Sequence, residues 1–268
     1  MLLPLIAMND PFSFAVTAVL AALVGLCVGS FLNVVIYRLP LGMSLATPPS
    51  HCTSCGYRLK WYDNIPVFSY LFLGGKCRKC HAHISIRYTI VELANMALWL
   101  AAAFVWRENI LMALAAALAS SIALCVFFID REHSIIPDRF QVMLAVLAVP
   151  AAMLDTFDEW YSHLIGAAAG FAVFFLIGLA VSRKVGREAL GGGDVKFALV
   201  TGGFLGWKRF LLMMLIASVS GSVYMLIRRK ADGESREIPF GPFLSVGFLI
   251  AMFAGSFLID AYLKLLLS

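Results

Sequence analysis

Long uncharged runs dominate the chain, broken by short polar stretches and by one longer polar segment. No charged residue falls between Asp10 and Arg38, Asn109 and Asp130, His163 and Arg183, Arg209 and Arg228, or Glu237 and Asp260. A helix rises about 1.5 Å per residue, so about 20 apolar residues cross a hydrocarbon core of about 30 Å. Each of these runs therefore predicts one membrane-spanning helix. Residues 89–106 predict another, with Glu92 near its start, and Phe140 to Leu154 a slightly short one. Phe197 to Trp207 is only 11 residues long and reaches spanning length when extended back through Lys196 to Gly191, the lysine stem snorkelling to the border. The expected fold class is an all-α polytopic membrane protein of about eight transmembrane helices.

Composition agrees with the pattern: 61% of the 268 residues are apolar, 14% are charged, and the mean hydropathy is +0.88. A chain so poor in polar residues cannot cover itself in water. Disorder and a secreted disulfide scaffold are excluded, the latter because six cysteines are too few. Basic residues set the topology, since loops retained in the cytoplasm keep Lys and Arg. With the N-terminus outside, segments 38–88, 131–139, 183–196 and 228–236 lie inside and hold 17 of the 21 basic residues. The net charge of +5 is then topological signal and contact with anionic membrane lipids, and calls for no nucleic acid.

The polar segment Arg38 to Tyr88 carries Cys52-Thr-Ser-Cys55 and Cys77-Arg-Lys-Cys80, two C-x-x-C pairs separated by 21 residues. That spacing suits four thiolates around one tetrahedral zinc. Disulfides or inert thiols are the alternatives, and a reducing cytoplasm disfavours disulfides. A loop this short and polar cannot bury much core, so a structural zinc would supply its folding free energy. His51, His81 and His83 flank the pairs, while Cys27 and Cys125 sit inside apolar runs and read as small buried hydrophobes. The predicted organisation is a first transmembrane helix (1–37), a small cytoplasmic zinc domain (38–88) and a seven-helix transmembrane domain (89–268).

Two acids stand at membrane boundaries on the same side: Asp130, ending one apolar run, and Asp194, directly after Gly191, Gly192 and Gly193. A carboxylate beside hydrocarbon is costly and points to function. Taken singly, Asp194 also reads as a helix cap and Asp130 as a helix-end residue at the headgroups. As a pair they suit aspartic-protease chemistry, in which two facing carboxyls share a proton. The glycines offer a side-chain-free strip for a substrate backbone, and Lys196 and Glu188 stand beside it as further substrate-side candidates. A transporter relay is a rival reading, but it needs acids spread across the bilayer and both of these lie at one border. A zinc-bearing assembly factor is another, and it would not need both acids. Gly166 and Gly170 form a G-x-x-x-G pair that predicts close helix packing. Trp106, Trp160 and Trp207 suit an interfacial belt, and His133 and His163 receive no role.

Several stretches in order resemble the type IV prepilin peptidase family, a group of G-x-G-D intramembrane aspartyl proteases. They are Gly29 to Pro40, the two cysteine pairs, Asp63 to Tyr70, Ile84 to Glu92, Ile129-Asp130 with Ile136-Pro-Asp138, Glu188 to Lys196, and Ile238 to Pro242. The resemblance implies Asp130 and Asp194 as the catalytic pair, with Asp138 the runner-up for the first. It also implies a bacterial inner-membrane enzyme, its zinc domain and active site facing the cytoplasm. Such an enzyme cleaves basic leaders from prepilin or pseudopilin precursors and N-methylates the new N-terminus with S-adenosyl-L-methionine. Composition and spacing alone indicate no site for that donor; Arg87 and Glu92 are the nearest candidates.

Overall fold

The computed structural model describes residues 11–185, 191–232 and 239–267. The described residues form nine α-helices: α1 (Pro11–Arg38), α2 (Phe68–Phe72), α3 (Arg87–Val105), α4 (Ile110–His133), α5 (Asp138–Leu154), α6 (Trp160–Val185), α7 (Gly192–Leu205), α8 (Trp207–Asp232) and α9 (Gly241–Leu267). All but α2 fall on the runs that predicted spans. Six are long and apolar enough to cross a membrane, α5 and α7 being shorter at 17 and 14 residues. Fourteen residues make about 21 Å of helix, so α7 falls short of a full bilayer.

The chain divides into two compact units, Met1–Ile110 and Leu111–Ser268. In the first, α1 and α3 pack antiparallel, with the cysteine segment between them in sequence. Small residues on α1 permit the approach. A Cβ on Gly25 would sit 3.0 Å from Met96 Cα, and one on Gly29 would sit 2.8 Å from Glu92 Cα. Buried amides lock the register: Asn95 Nδ2 donates to Gly25 O at 2.7 Å, and Asn33 Nδ2 to Tyr88 O at 3.0 Å. Trp106 is buried at the end of α3 and so is not part of an interfacial belt, whereas Trp160 and Trp207 are exposed. Cys27 lies exposed on the outer face of α1; only Cys125 is the buried hydrophobe expected.

In the second unit α7 is the central short helix, in contact with α5, α6, α8 and α9. The predicted Gly166 and Gly170 packing is present. A Cβ on Gly166 would collide with the Gly202 carbonyl, one on Gly170 with the Ala198 carbonyl, and one on Gly202 with the Gly166 carbonyl. Backbone-to-backbone approach of this kind is how helices associate without a hydrophobic driving force. Phe197, Phe204, Phe210 and Phe248 fill the core beside it.

Candidate active site

Asp130 closes the apolar face of α4 and is only 5% exposed. Its carboxylate accepts one hydrogen bond, from the Gly241 backbone N–H at 2.8 Å, where α9 begins. A Cβ on Gly241 would press on that carboxylate, which explains a glycine inside the Pro-Phe-Gly-Pro stretch. Asp130 is thus no headgroup residue at a helix end.

Asp194 lies in the first turn of α7, half-buried and within electrostatic range of Asp130. The helix cap is Gly191, in extended conformation, so Asp194 is not the capping residue. Among the described residues no cationic side chain is salt-bridged to either acid. Gly192 and Gly193 belong to the first turn of α7. Gly192 is exposed, with open space where a side chain would stand, and Gly193 packs against Ile136.

Gln141, which sequence reasoning passed over, binds this segment from α5. It is 4% exposed, and its amide Nε2 donates to Gly193 O at 3.3 Å and to Ile136 O at 3.4 Å. One polar residue inside the Phe140 to Leu154 run was the only available signal. Lys196 does not reach into the acid pair: its ammonium donates to Asp138 Oδ1 at 2.8 Å, and both partners are more than half exposed. The same contact places Asp138 at the surface, away from the role of first acid. Glu188 lies outside the described residues.

The four cysteines converge. Cys52, Cys55, Cys77 and Cys80 hold their sulfurs within 4.8 Å of one another, with Cys52 and Cys80 Sγ 3.8 Å apart. Tetrahedral Zn–S bonds of about 2.3 Å require edges of about 3.8 Å, so the set fits zinc. Each pair sits in a tight turn: Cys52 N donates to Tyr57 O and Cys77 N to Ala82 O, both at 2.9 Å. Backbone N–H groups of Cys55 and Ser54 lower the Cys52 thiol to about 6, favouring the thiolate a metal needs. Buried Asp63 braces the two turns, accepting from Arg78 Nε at 2.7 Å and from Lys60 N at 3.2 Å. Burial raises its carboxyl, but the hydrogen bonds from Arg78, Lys60 and Tyr57 and the Arg78 charge together outweigh that and hold it below the ordinary range.

At the other end of α7 the buried charges are matched. Asp155 pairs with Arg209, and Asp158 Oδ1 accepts from Lys208 at 2.9 Å. His163, expected to be inert, is buried there between Gly203 O at 3.0 Å and Asp155 Oδ2 at 3.2 Å. Burial pushes Asp155 up, but the hydrogen bond with His163 and the Arg209 charge prevail and hold it below its ordinary value.

Known proteins place the chain. Residues 117–226 match the profile described as the type IV leader peptidase family, and residues 23–106 match the bacterial peptidase A24 N-terminal domain. A protein of Pectobacterium carotovorum is 35% identical over 257 residues, covering 87% of this chain and 91% of its own length. The chain belongs to the type IV leader peptidase family. A Pseudomonas aeruginosa protein is 32% identical over 96% of both chains. One from Myxococcus xanthus is 40% identical over 81% of this chain, which spans 65% of that relative's length. All three are named prepilin leader peptidase/N-methyltransferase. No solved structure matches the chain.

Proposed function

We propose that this protein cleaves the basic leader from type IV prepilin-like precursors, using Asp130 and Asp194 at the cytoplasmic face of the bacterial inner membrane, and then methylates the freed amine. The observation that carries the reading is a pair of carboxyls with no cationic side chain salt-bridged to either among the described residues, in a chain whose relatives are named for this activity. Repulsion between them favours a shared proton. The ionised carboxylate takes a proton from a water whose oxygen attacks the scissile carbonyl carbon. The protonated carboxyl donates its proton to the carbonyl oxygen; the carboxyl that took the water proton then gives it to the departing amine as the C–N bond breaks, while the first carboxyl takes a proton back from the diol hydroxyl. Gly241 N–H steadies Asp130, and Gln141 holds the backbone just before Asp194. A precursor whose apolar helix stays in the bilayer presents its leader junction at this depth.

Segment 38–88 is the zinc domain in this reading, the four thiolates holding a structural ion that folds it. S-adenosyl-L-methionine is the methyl donor by the relatives' names. Among the described residues no β-strand pairs beyond isolated bridges, so no dinucleotide-type cradle is present and no residue is assigned to the donor. The test is mass spectrometry of a synthetic precursor treated with purified wild type or Asp194→Asn. Leader loss with wild type alone is expected, with a methyl increment only when donor is added. Equal cleavage by both proteins removes Asp194 from the reaction.

A further inference from the structure

The stretch between the cysteine pairs carries apolar side chains that neither the metal site nor the acid pair uses. Trp61 is 79% and Phe72 87% exposed, and Ile65, Phe68 and Leu71 are exposed with them. Five large apolar groups within twelve residues of a polar segment are a poor arrangement for water. Their position is fixed by one buried contact. The Val67 backbone N–H donates to Glu92 Oε2 at 2.7 Å, and Val67 adopts φ 63, a conformation a β-branched residue takes only when held. Glu92 is itself buried and lies five residues into α3, about 7 Å along the axis from Arg87. The start of α2 therefore sits level with the second turn of a spanning helix, not out in solvent. At that level the outer surface of the first unit is apolar and exposed, through Tyr37 on α1 and Ile86, Ile90 and Leu93 at the start of α3. The α2 side chains extend the same lipid-facing surface. The flanks are basic: Arg58, Lys60, Lys76, Arg78 and Lys79 face a single acid, Asp63, which is already bonded to Arg78.

We propose that Trp61 to Phe72 is a membrane-interface anchor, with α2 seated at the headgroup–acyl boundary of an anionic leaflet and the flanking Lys and Arg on the lipid phosphates. Phe68, Leu71 and Phe72 enter the acyl region, and Trp61 takes the headgroup level favoured by tryptophan. The cysteine module is thereby pinned flat on the bilayer by its own loop, in addition to its two covalent links to α1 and α3.

The test places photoreactive benzoylphenylalanine at Phe72, and separately at Leu71, in the full zinc-loaded chain. The chain is reconstituted in vesicles of equal phosphatidylglycerol and phosphatidylcholine. Leu164, exposed on the apolar face of α6, is the lipid-facing control, and Ala46, exposed between α1 and the first cysteine pair, the solvent-facing one. Phospholipid adducts at 71 and 72 within about threefold of the Leu164 yield, with phosphatidylglycerol favoured at least about twofold over its share, are expected. Adducts no more abundant than at Ala46, or without preference for the anionic lipid, overturn the proposal. So does crosslinking to an added prepilin-like peptide or to a second copy of the chain in place of lipid, which would make α2 a docking site for an apolar helix. Zinc content equal to wild type qualifies each variant, and the two positions serve as independent reporters.

Discussion

The two ends of α7 handle buried carboxylates in opposite ways. At its C-terminal end Asp155 and Asp158 meet Arg209, Lys208 and His163, so the negative charge is neutralised in place. At its N-terminal end Asp194 lies within electrostatic range of Asp130, and a backbone N–H from Gly241 is the polar group bonded to Asp130. Charge matched by cations welds helices together; charge left unmatched keeps its free energy available for protonation and attack on a bond. On the proposed function, the same helix has a structural end and a chemical end, separated by about 20 Å.

The sharpest way to break that comparison is to neutralise one acid at each end. Asp130→Asn should lower precursor cleavage at least about 10³-fold while leaving thermal stability close to wild type. Asp155→Asn should do the reverse: cleavage within about threefold, but a loss of about 3 kcal/mol, because buried Arg209 is left with only Asp158, 3.7 Å from its Nε, as a counter-charge. Equal effects on both readouts would abolish the distinction.

A smaller effect is expected from Gln141→Leu, which removes the amide that donates to Gly193 O, just before Asp194, and to Ile136 O. Here kcat should fall about tenfold, about 1.4 kcal/mol, with KM within twofold, and methylation of a leaderless peptide should be unchanged. Loss of both activities together would make Gln141 a packing residue only.

Acid titration sharpens the structural end. The folded-state value of Asp155 lies below its ordinary 3.8, so its stabilising contribution is fully present above the ordinary value and is lost as pH falls through the folded value. Melting scans from pH 6 down to pH 3 should show wild type converging on Asp155→Asn, and parallel curves would contradict the assignment. Smallest of all, Lys196→Ala should change cleavage less than about twofold, since its ammonium serves an exposed pair with Asp138.

Much of this was legible in advance. Hydropathy located all the described helices but α2, because each follows an apolar run, six of them long and apolar enough to cross a membrane. Cysteine spacing located the metal cluster, because two short turns impose their own geometry. The G-x-x-x-G of α6 announced its contact, although Gly25 and Gly29 on α1 carried the same signal unread. The partners of polar groups were another matter. Asp130 and Asp138 both stood at a border, and only packing showed one buried on Gly241 and the other exposed on Lys196. His163 and Gln141 were single polar letters in apolar or border text.

What the sequence by itself determined, then, is where the long apolar helices run and which thiols can close on a metal. Those are local properties of composition and spacing, settled within a few turns of helix or one loop. The tertiary structure alone decided which buried charges are answered and which are left facing each other. Asp130 and Gly241 are 111 residues apart, Asp155 and Arg209 54, and Lys196 and Asp138 58. Such pairings are set by the close approach that glycine and alanine permit between helices, and no local pattern encodes which helix will stand beside which.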